Sequence, residues 1–272
     1  MALPVIGAAL GVPDLPEFRD WLFEMDRDLE LQSFSSPEIL ISGDWQPLVD
    51  EARRHLDGFR GRLGIHGPFW GLSLASPDPE IRALVGRRMM TGLDICAALG
   101  ATMMVIHSPY TTWDFHNLDL FPKARGRVIE AAQETLSEVV RRAADQGVTL
   151  VLENVEDIDP ADRCRLAEAL GAETVRVSLD TGHAHYAHVA TGAPPVDFFL
   201  RAAGERLGHV HLQDADGHAD RHWPIGQGSV PWHAVFAALS GIGGTPRLIL
   251  ELRDKGGVRP SAAWLAAQGL AR

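Results

Sequence analysis

The chain has 272 residues, 46% of them hydrophobic, and carries 25 Lys and Arg against 36 Asp and Glu for a net charge of −11. That length and apolar content can bury a full core, and α/β barrels commonly run to this size as one unit, so residues 1–272 are expected to form a single domain. The acidic balance argues against non-specific nucleic-acid binding, and no apolar run reaches membrane-spanning length.

Eight strand–helix units are expected in chain order. Val5–Leu10 reads as a first strand, with a helix near Leu15–Met25. Asp28–Phe34 is a second, with a helix near Trp45–Gly58. Leu63–His66 is a third, followed by a long helix over Asp78–Leu99. Ser76 is the expected N-cap of that helix, Pro77 its first position and Gly100 its stop. A fourth strand at Met103–His107 precedes a helix near Pro122–Gln146, and a fifth at Thr149–Asn154 precedes one near Pro160–Leu170. Val175–Asp180 and a helix at Val196–Ala203 follow. His209–Gln213 then pairs with Pro231–Leu239, and Arg247–Leu252 with Ser261–Gln268. Strands that are continuous apolar runs, alternating with helices and free of linkers, predict a (β/α)8 TIM barrel of the α/β class.

The opening MALPVIGAAL is too short and too uncharged for a signal peptide, and Cys96 and Cys164 lack CxxC spacing. They read as reduced, buried thiols, and a cytoplasmic location is expected.

Six apolar runs each end on a metal-competent side chain: LGIHG (His66), MMVIHS (His107), TLVLEN (Glu153), VRVSLD (Asp180), GHVHLQD (His211) and RLILEL (Glu251). In a TIM barrel these ends converge at the C-terminal mouth, where the active site lies. Glu153, Asp180, His211 and Glu251 give three carboxylates and one imidazole around a single point, a donor set suited to Mn²⁺, Mg²⁺, Co²⁺ or Zn²⁺. His183, three residues beyond Asp180, can reach a second ion or a substrate oxygen. Asp220 and His222 form a D-x-H pair, and His66 and His107 share an HxP pattern in which proline fixes the departing loop. His209 faces inward with His211 but deeper, and reads as a packed core histidine. Gly226 and Gly228 read as a tight turn beneath a ligand or as a plain loop turn. Phe69, Trp70, Trp113 and Trp223 read as apolar walls or as ordinary loop packing, and Glu156 as a substrate contact or an exposed loop acid.

With LENVED, SLDTGHAH, HVHLQD and LILEL in these places, nearly the whole chain resembles the xylose isomerase-like TIM-barrel superfamily. That group holds sugar phosphate isomerases and epimerases together with endonuclease IV-type abasic-site endonucleases. The resemblance to the ketose epimerases implies one metal ion on Glu153, Asp180, His211 and Glu251. It also implies Glu153 and Glu251 as the catalytic proton-transfer pair, and His183 as a substrate contact. Arg221 is compared with the family's substrate-binding arginine, although it lies farther beyond His211 than that arginine does, and Trp70, as an apolar wall, is the other expected substrate-binding residue. The implied activity is a divalent-metal-dependent isomerase or epimerase of carbohydrate metabolism, working through a metal-stabilised enediolate on a small sugar or keto-sugar. The endonuclease branch implies up to three zinc ions instead, with His66, His107, His183, Asp220 and His222 as further ligands, and a phosphodiesterase acting on abasic-site DNA. Against that branch, the first strand reads IGAALGV, the second continues as ELQSFSSPEIL without a basic DNA-contacting motif, and no basic rim is evident. Nucleic acid is therefore not an expected partner. The oligomeric state is left open, with a homodimer the commonest arrangement.

Overall fold

In the computed structural model, which describes residues 3–272, eight parallel strands close into a barrel in sequence order. They are β1 (Gly7–Leu10), β2 (Leu29–Leu31), β3 (Leu63–His66), β4 (Met103–His107), β5 (Thr149–Glu153), β6 (Val175–Asp180), β7 (Leu207–Leu212) and β8 (Arg247–Leu250). Helices pack outside: α1 (Leu15–Phe23), α2 (Pro37–Ser42), α3 (Gln46–His55), α4 (Pro79–Leu99), α5 (Thr112–Asn117), α6 (Ala124–Gln146), α7 (Pro160–Gly171), α8 (Thr181–Thr191), α9 (Val196–Ala203), α10 (Trp232–Ser240) and α11 (Val258–Ala267). The fold is the expected (β/α)8 barrel. Every residue of β1, β2, β3 and β8 is buried, as strands covered on both faces must be. Each buried Leu, Ile or Val of these strands contributes about 1.5–3 kcal/mol by leaving water. Among the described residues no helix is long and apolar enough to cross a membrane.

Three expectations about elements are corrected. In ASPDPE two acceptor–proline pairs stand in tandem, and the second starts α4. Asp78, not Ser76, is the N-cap, its Oδ1 accepting from Glu80 N at 2.8 Å, and Pro79 takes the first helical position. The second strand is only three residues long. Three helices were not expected: α2, α5 and α8, the last of which begins directly at the end of β6.

Candidate metal centre

Strand register brings the strand-end residues level. His107 is paired with Glu153 across β4 and β5, and Asp180 with His211 across β6 and β7. Glu251 follows Leu250, which stands level with Leu212. The result is a group of four buried residues, Glu153, Asp180, His211 and Glu251, whose donor atoms all lie within 4.8 Å of one another. His211 Nδ1 is 2.8 Å from Glu153 Oε1 and 3.4 Å from Glu251 Oε2.

The remaining expected residues gather on either side. His66 Nε2 and His107 Nε2 stand 3.5 and 3.4 Å from Glu153 Oε2, and the two imidazole nitrogens are 3.4 Å apart. On the other flank, Asp220 Oδ1 lies 3.4 Å from His183 Nε2 and 3.0 Å from His222 Nε2. The orientation of these rings is set by backbone carbonyls. Nδ1–H of His66 donates to Gly67 O, that of His183 to Asn154 O and that of His222 to Glu251 O, which leaves each Nε2 as the outward donor atom. His222 holds a left-handed backbone conformation at φ +51°, a strained choice for a side chain of this size.

These residues fit a divalent cation. Glu153 Oε2 is buried with no hydrogen-bond partner among the described residues. Leaving such an oxygen unsatisfied costs about 1–3 kcal/mol, and a cation would satisfy it. Three carboxylates and one imidazole are the oxygen-rich donors that hard and borderline divalent ions take.

Electrostatics follow the same layout. Burial opposes charge on every group here, but the carboxylates Glu251, Glu30 and Glu153 outweigh it at His211 and hold that ring protonated well above the usual imidazole range. Asp180 and Asp220 do the same for His183. The same competition lifts His66 to about 8 and His222 to about 9. At His107 burial wins and the ring falls to about 3. Burial, joined by Glu153 and Glu251, raises Asp180 to about 6 against the pull of His183. An imidazole binds a cation only through a free lone pair, so a proton on His211 competes with metal in the central group. Zinc or manganese uptake there is therefore expected to strengthen as pH rises above the usual imidazole range. Chelator-competition titrations across that range, with proton release followed in weak buffer, check this. An affinity that stays flat would contradict it.

Several supporting residues were not anticipated. Asn154 pins the end of β6 from both sides, its Nδ2 donating to Asp180 O and its Oδ1 accepting from Asp180 N. Gln213 Nε2 donates to Asp180 and to Asp220 Oδ1, and its Oε1 accepts from His222 N, so one amide ties the central group to the flank. Gly182 is required beside it, because a Cβ there would collide with that amide. Glu30 and Gln32, at β2, touch His211 and Glu251. His209 is a buried histidine, as expected, with Nδ1 2.8 Å from Ser178 Oγ.

Above the centre lies a cavity of about 710 Å³. Its lining includes His66, His107, Glu153, His183, Asp220, His222 and Glu251, with Phe69 and Trp70 as an apolar wall. Arg221 does not line it: its guanidinium is engaged by Asp216, with Nη2 2.9 Å from Oδ2, and lies over the Trp223 ring. The cations that do line the cavity are Arg253 and Lys255, past the end of β8. Trp113 and Trp223 do not belong to the lining either, since Trp113 sits exposed on α5 and Trp223 is paired with Asp214 in an isolated bridge. Glu156 accepts from Thr112 N at the start of α5.

The turn at Gly226 and Gly228 lies outside the cavity lining and packs inward. Gly226 has φ +89°, and a Cβ on it would come within 2.7 Å of the Trp264 indole nitrogen. The hub is Asp214, fully buried, which accepts from Ala215 N, Gly226 N, Val230 N and the Trp232 indole N–H. Its own backbone pairs in both directions with Trp223.

Among known proteins, the uncharacterised MJ1311 of Methanocaldococcus jannaschii is 26% identical over 195 residues, 69% of this chain and 63% of the relative. The D-psicose 3-epimerase of Ruminiclostridium cellulolyticum is 26% identical over 213 residues, 74% of this chain and 66% of that enzyme. The chain thus spans slightly under two thirds of the length of either. Among solved structures, the TTHB071 protein from Thermus thermophilus, soaked with zinc chloride, superposes with a TM-score of 0.75 at 32% identity, covering 98% of this chain and 99% of that one. A D-tagatose 3-epimerase-like protein shares the fold with a TM-score of 0.73 at 21% identity and 96% coverage of both chains. A family profile described as the xylose isomerase-like TIM barrel matches residues 27–268, and with the closed eight-stranded barrel in place the chain belongs to that family.

Proposed function

We propose that the chain is a divalent-metal-dependent isomerase or epimerase of a sugar or sugar phosphate, moving a proton on a carbon next to a carbonyl. The observation that carries this reading is the pair of buried glutamates, Glu153 and Glu251, which share one donor group with Asp180 and His211 and also line the cavity. The likeness to D-psicose 3-epimerases supports the substrate class. A divalent cation on these four residues supplies Lewis-acid stabilisation of the negative charge that develops on the carbonyl oxygen as the C–H bond breaks.

The protein's own groups do the rest. Glu153 and Glu251 act as the acid–base pair, one carboxylate removing the proton and the other returning one. Return to the same carbon from the opposite face epimerises, and return to the neighbouring carbon isomerises. Asp220, His183 and His222 form a polar flank for substrate hydroxyls. Phe69 and Trp70 supply an apolar wall against the sugar's C–H face and exclude water from the reacting carbon.

A second reading is favoured by one observation: His66–His107–Glu153 and His183–Asp220–His222 each gather donor atoms within 4.8 Å, on either side of the central group. Three ions there would suit hydrolysis of a phosphodiester such as abasic-site DNA. Metal analysis of the purified protein, with ketoses and their phosphates incubated in D₂O, separates the two. The first reading expects one metal per chain and deuterium incorporated next to the carbonyl. Three metals, abasic-site cleavage and no exchange would overturn it in favour of the second.

A further inference from the structure

Strand β2 contributes no residue to the central donor group, yet one side chain on it and one just past it end on donors carried by strands that it does not pair with. Glu30 and Gln32 are two residues apart and so project to the same face. Gln32 stands just past β2 and is still laddered, its backbone N–H donating to Leu10 O. Neither β7 nor β8 is adjacent to β2 in the closed sheet, so both contacts cross the interior.

Glu30 is 3% exposed, and its two oxygens lie 3.0 and 3.2 Å from His211 Nε2. Its other neighbour is His209 Nε2 at 3.2 Å, on a ring whose Nδ1 is fixed by Ser178 Oγ at 2.8 Å. Among the described residues no Lys or Arg pairs with it. Accepting from His211 Nε2–H turns Nδ1 toward Glu153 and Glu251, so that loss of the Nδ1 proton frees a lone pair on the side of the donor group. A ring flip would put carbon where both nitrogens now point. Packing alone does not call for this residue: Leu29 and Leu31 fill the neighbouring positions, and a buried charge is a costly substitute for an aliphatic side chain.

Gln32 does for Glu251 what Glu30 does for His211. Its Nε2 donates to Glu251 Oε1 at 2.6 Å, while its Oε1 accepts from Lys255 Nζ at 2.8 Å. Lys255 in turn donates to Leu252 O at 2.8 Å. The amide cannot turn over without setting its NH₂ against an ammonium and its oxygen against a carboxylate. With Oε1 engaged, Glu251 turns Oε2 inward, 3.4 Å from His211 Nδ1 and 3.5 Å from His222 Nδ1.

We propose that β2 is the alignment strand of the centre: Glu30 is a positioning residue for His211, and Gln32, locked by Lys255, is one for Glu251. This rests on the metal-dependent reading above. The test uses the full chain as Glu30→Gln and Gln32→Leu. Zn²⁺ affinity is measured by competition with a chromogenic chelator, geometry by the visible spectrum of the Co²⁺-loaded protein, and folding by the melting of the metal-free protein. Glu30→Gln is expected to weaken metal binding by about 10–100-fold, the range seen when a residue behind a ligand is lost. Both variants are expected to shift the Co²⁺ bands while the metal-free protein melts as wild type. Unchanged affinity and spectrum in both variants would overturn the alignment role and leave the proposed function standing, as would an affinity loss that merely tracks a loss of metal-free stability. A wild type that takes up no metal would overturn both. If Glu30→Gln does not fold, Gln32→Leu carries the same comparison alone.

Discussion

Glu251→Gln is expected to lower kcat by about 10²–10⁴-fold, the usual worth of a positioned general acid or base. The amide keeps the size and one acceptor of the carboxylate, so the loss reports proton transfer rather than collapse of the pocket. Two contacts make the exchange awkward. Gln32 Nε2 requires an acceptor at one end of the new side chain. If the amide oxygen turns there, the NH₂ faces His211 Nδ1 and His222 Nδ1. Metal binding is therefore weakened as well, and the measurement has to be made at saturating metal with the content of the variant analysed in parallel. A fully loaded Glu251→Gln protein that still exchanges substrate protons with solvent at the wild-type rate would remove Glu251 from the acid–base pair.

Stripping the metal is expected to be the largest perturbation of stability. Glu153, Asp180 and Glu251 place three buried carboxylates in one donor group, with His211 the single imidazole among them. Like charges held close in a dry site repel, and a cation relieves them. An ion present at a thousandfold excess over its dissociation constant stabilises the fold by roughly 4 kcal/mol. For a domain of this size that corresponds to a melting temperature lower by roughly 10 °C after removal, at about 2–4 °C per kcal/mol. Melting curves of chelator-treated protein, before and after Zn²⁺ or Mn²⁺ is restored, read it directly. Coincident curves would mean that the group holds no ion.

The residues most readable from the chain were those whose signal is local. His66, His107, Glu153, Asp180, His211 and Glu251 each close an apolar run, and a polar side chain at that point stands out against its own neighbours. Glu30 and Gln32 carried no such mark. The sequence around them, DLELQSF, alternates like an ordinary half-polar strand, and the contact that gives Glu30 its meaning is made 181 residues away. Arg221 was named through the resemblance to the ketose epimerases rather than from its own surroundings, and here its guanidinium is engaged by Asp216, five residues back. The helix α8 was missed because TGHAHYAHVAT shows no apolar stripe, and its start is made by Asp180, whose Oδ1 accepts from His183 N. Asp180 thus serves as cap and as candidate ligand at once, and only the first role is a local property.

The knot of hydrogen bonds around Asp214 bears on how the mouth opens. Asp214, where the segment that carries Asp220 and His222 begins, holds its return through Trp223, Gly226 and Val230, and Gln213 fastens its middle. A segment tied in this way is ordered during folding rather than at the moment of encounter. The loss of loop freedom that usually weakens binding is thereby avoided on this flank. Whatever enters the cavity meets a surface on this flank that is already tied down, whereas across the mouth Trp70 stands 62% exposed.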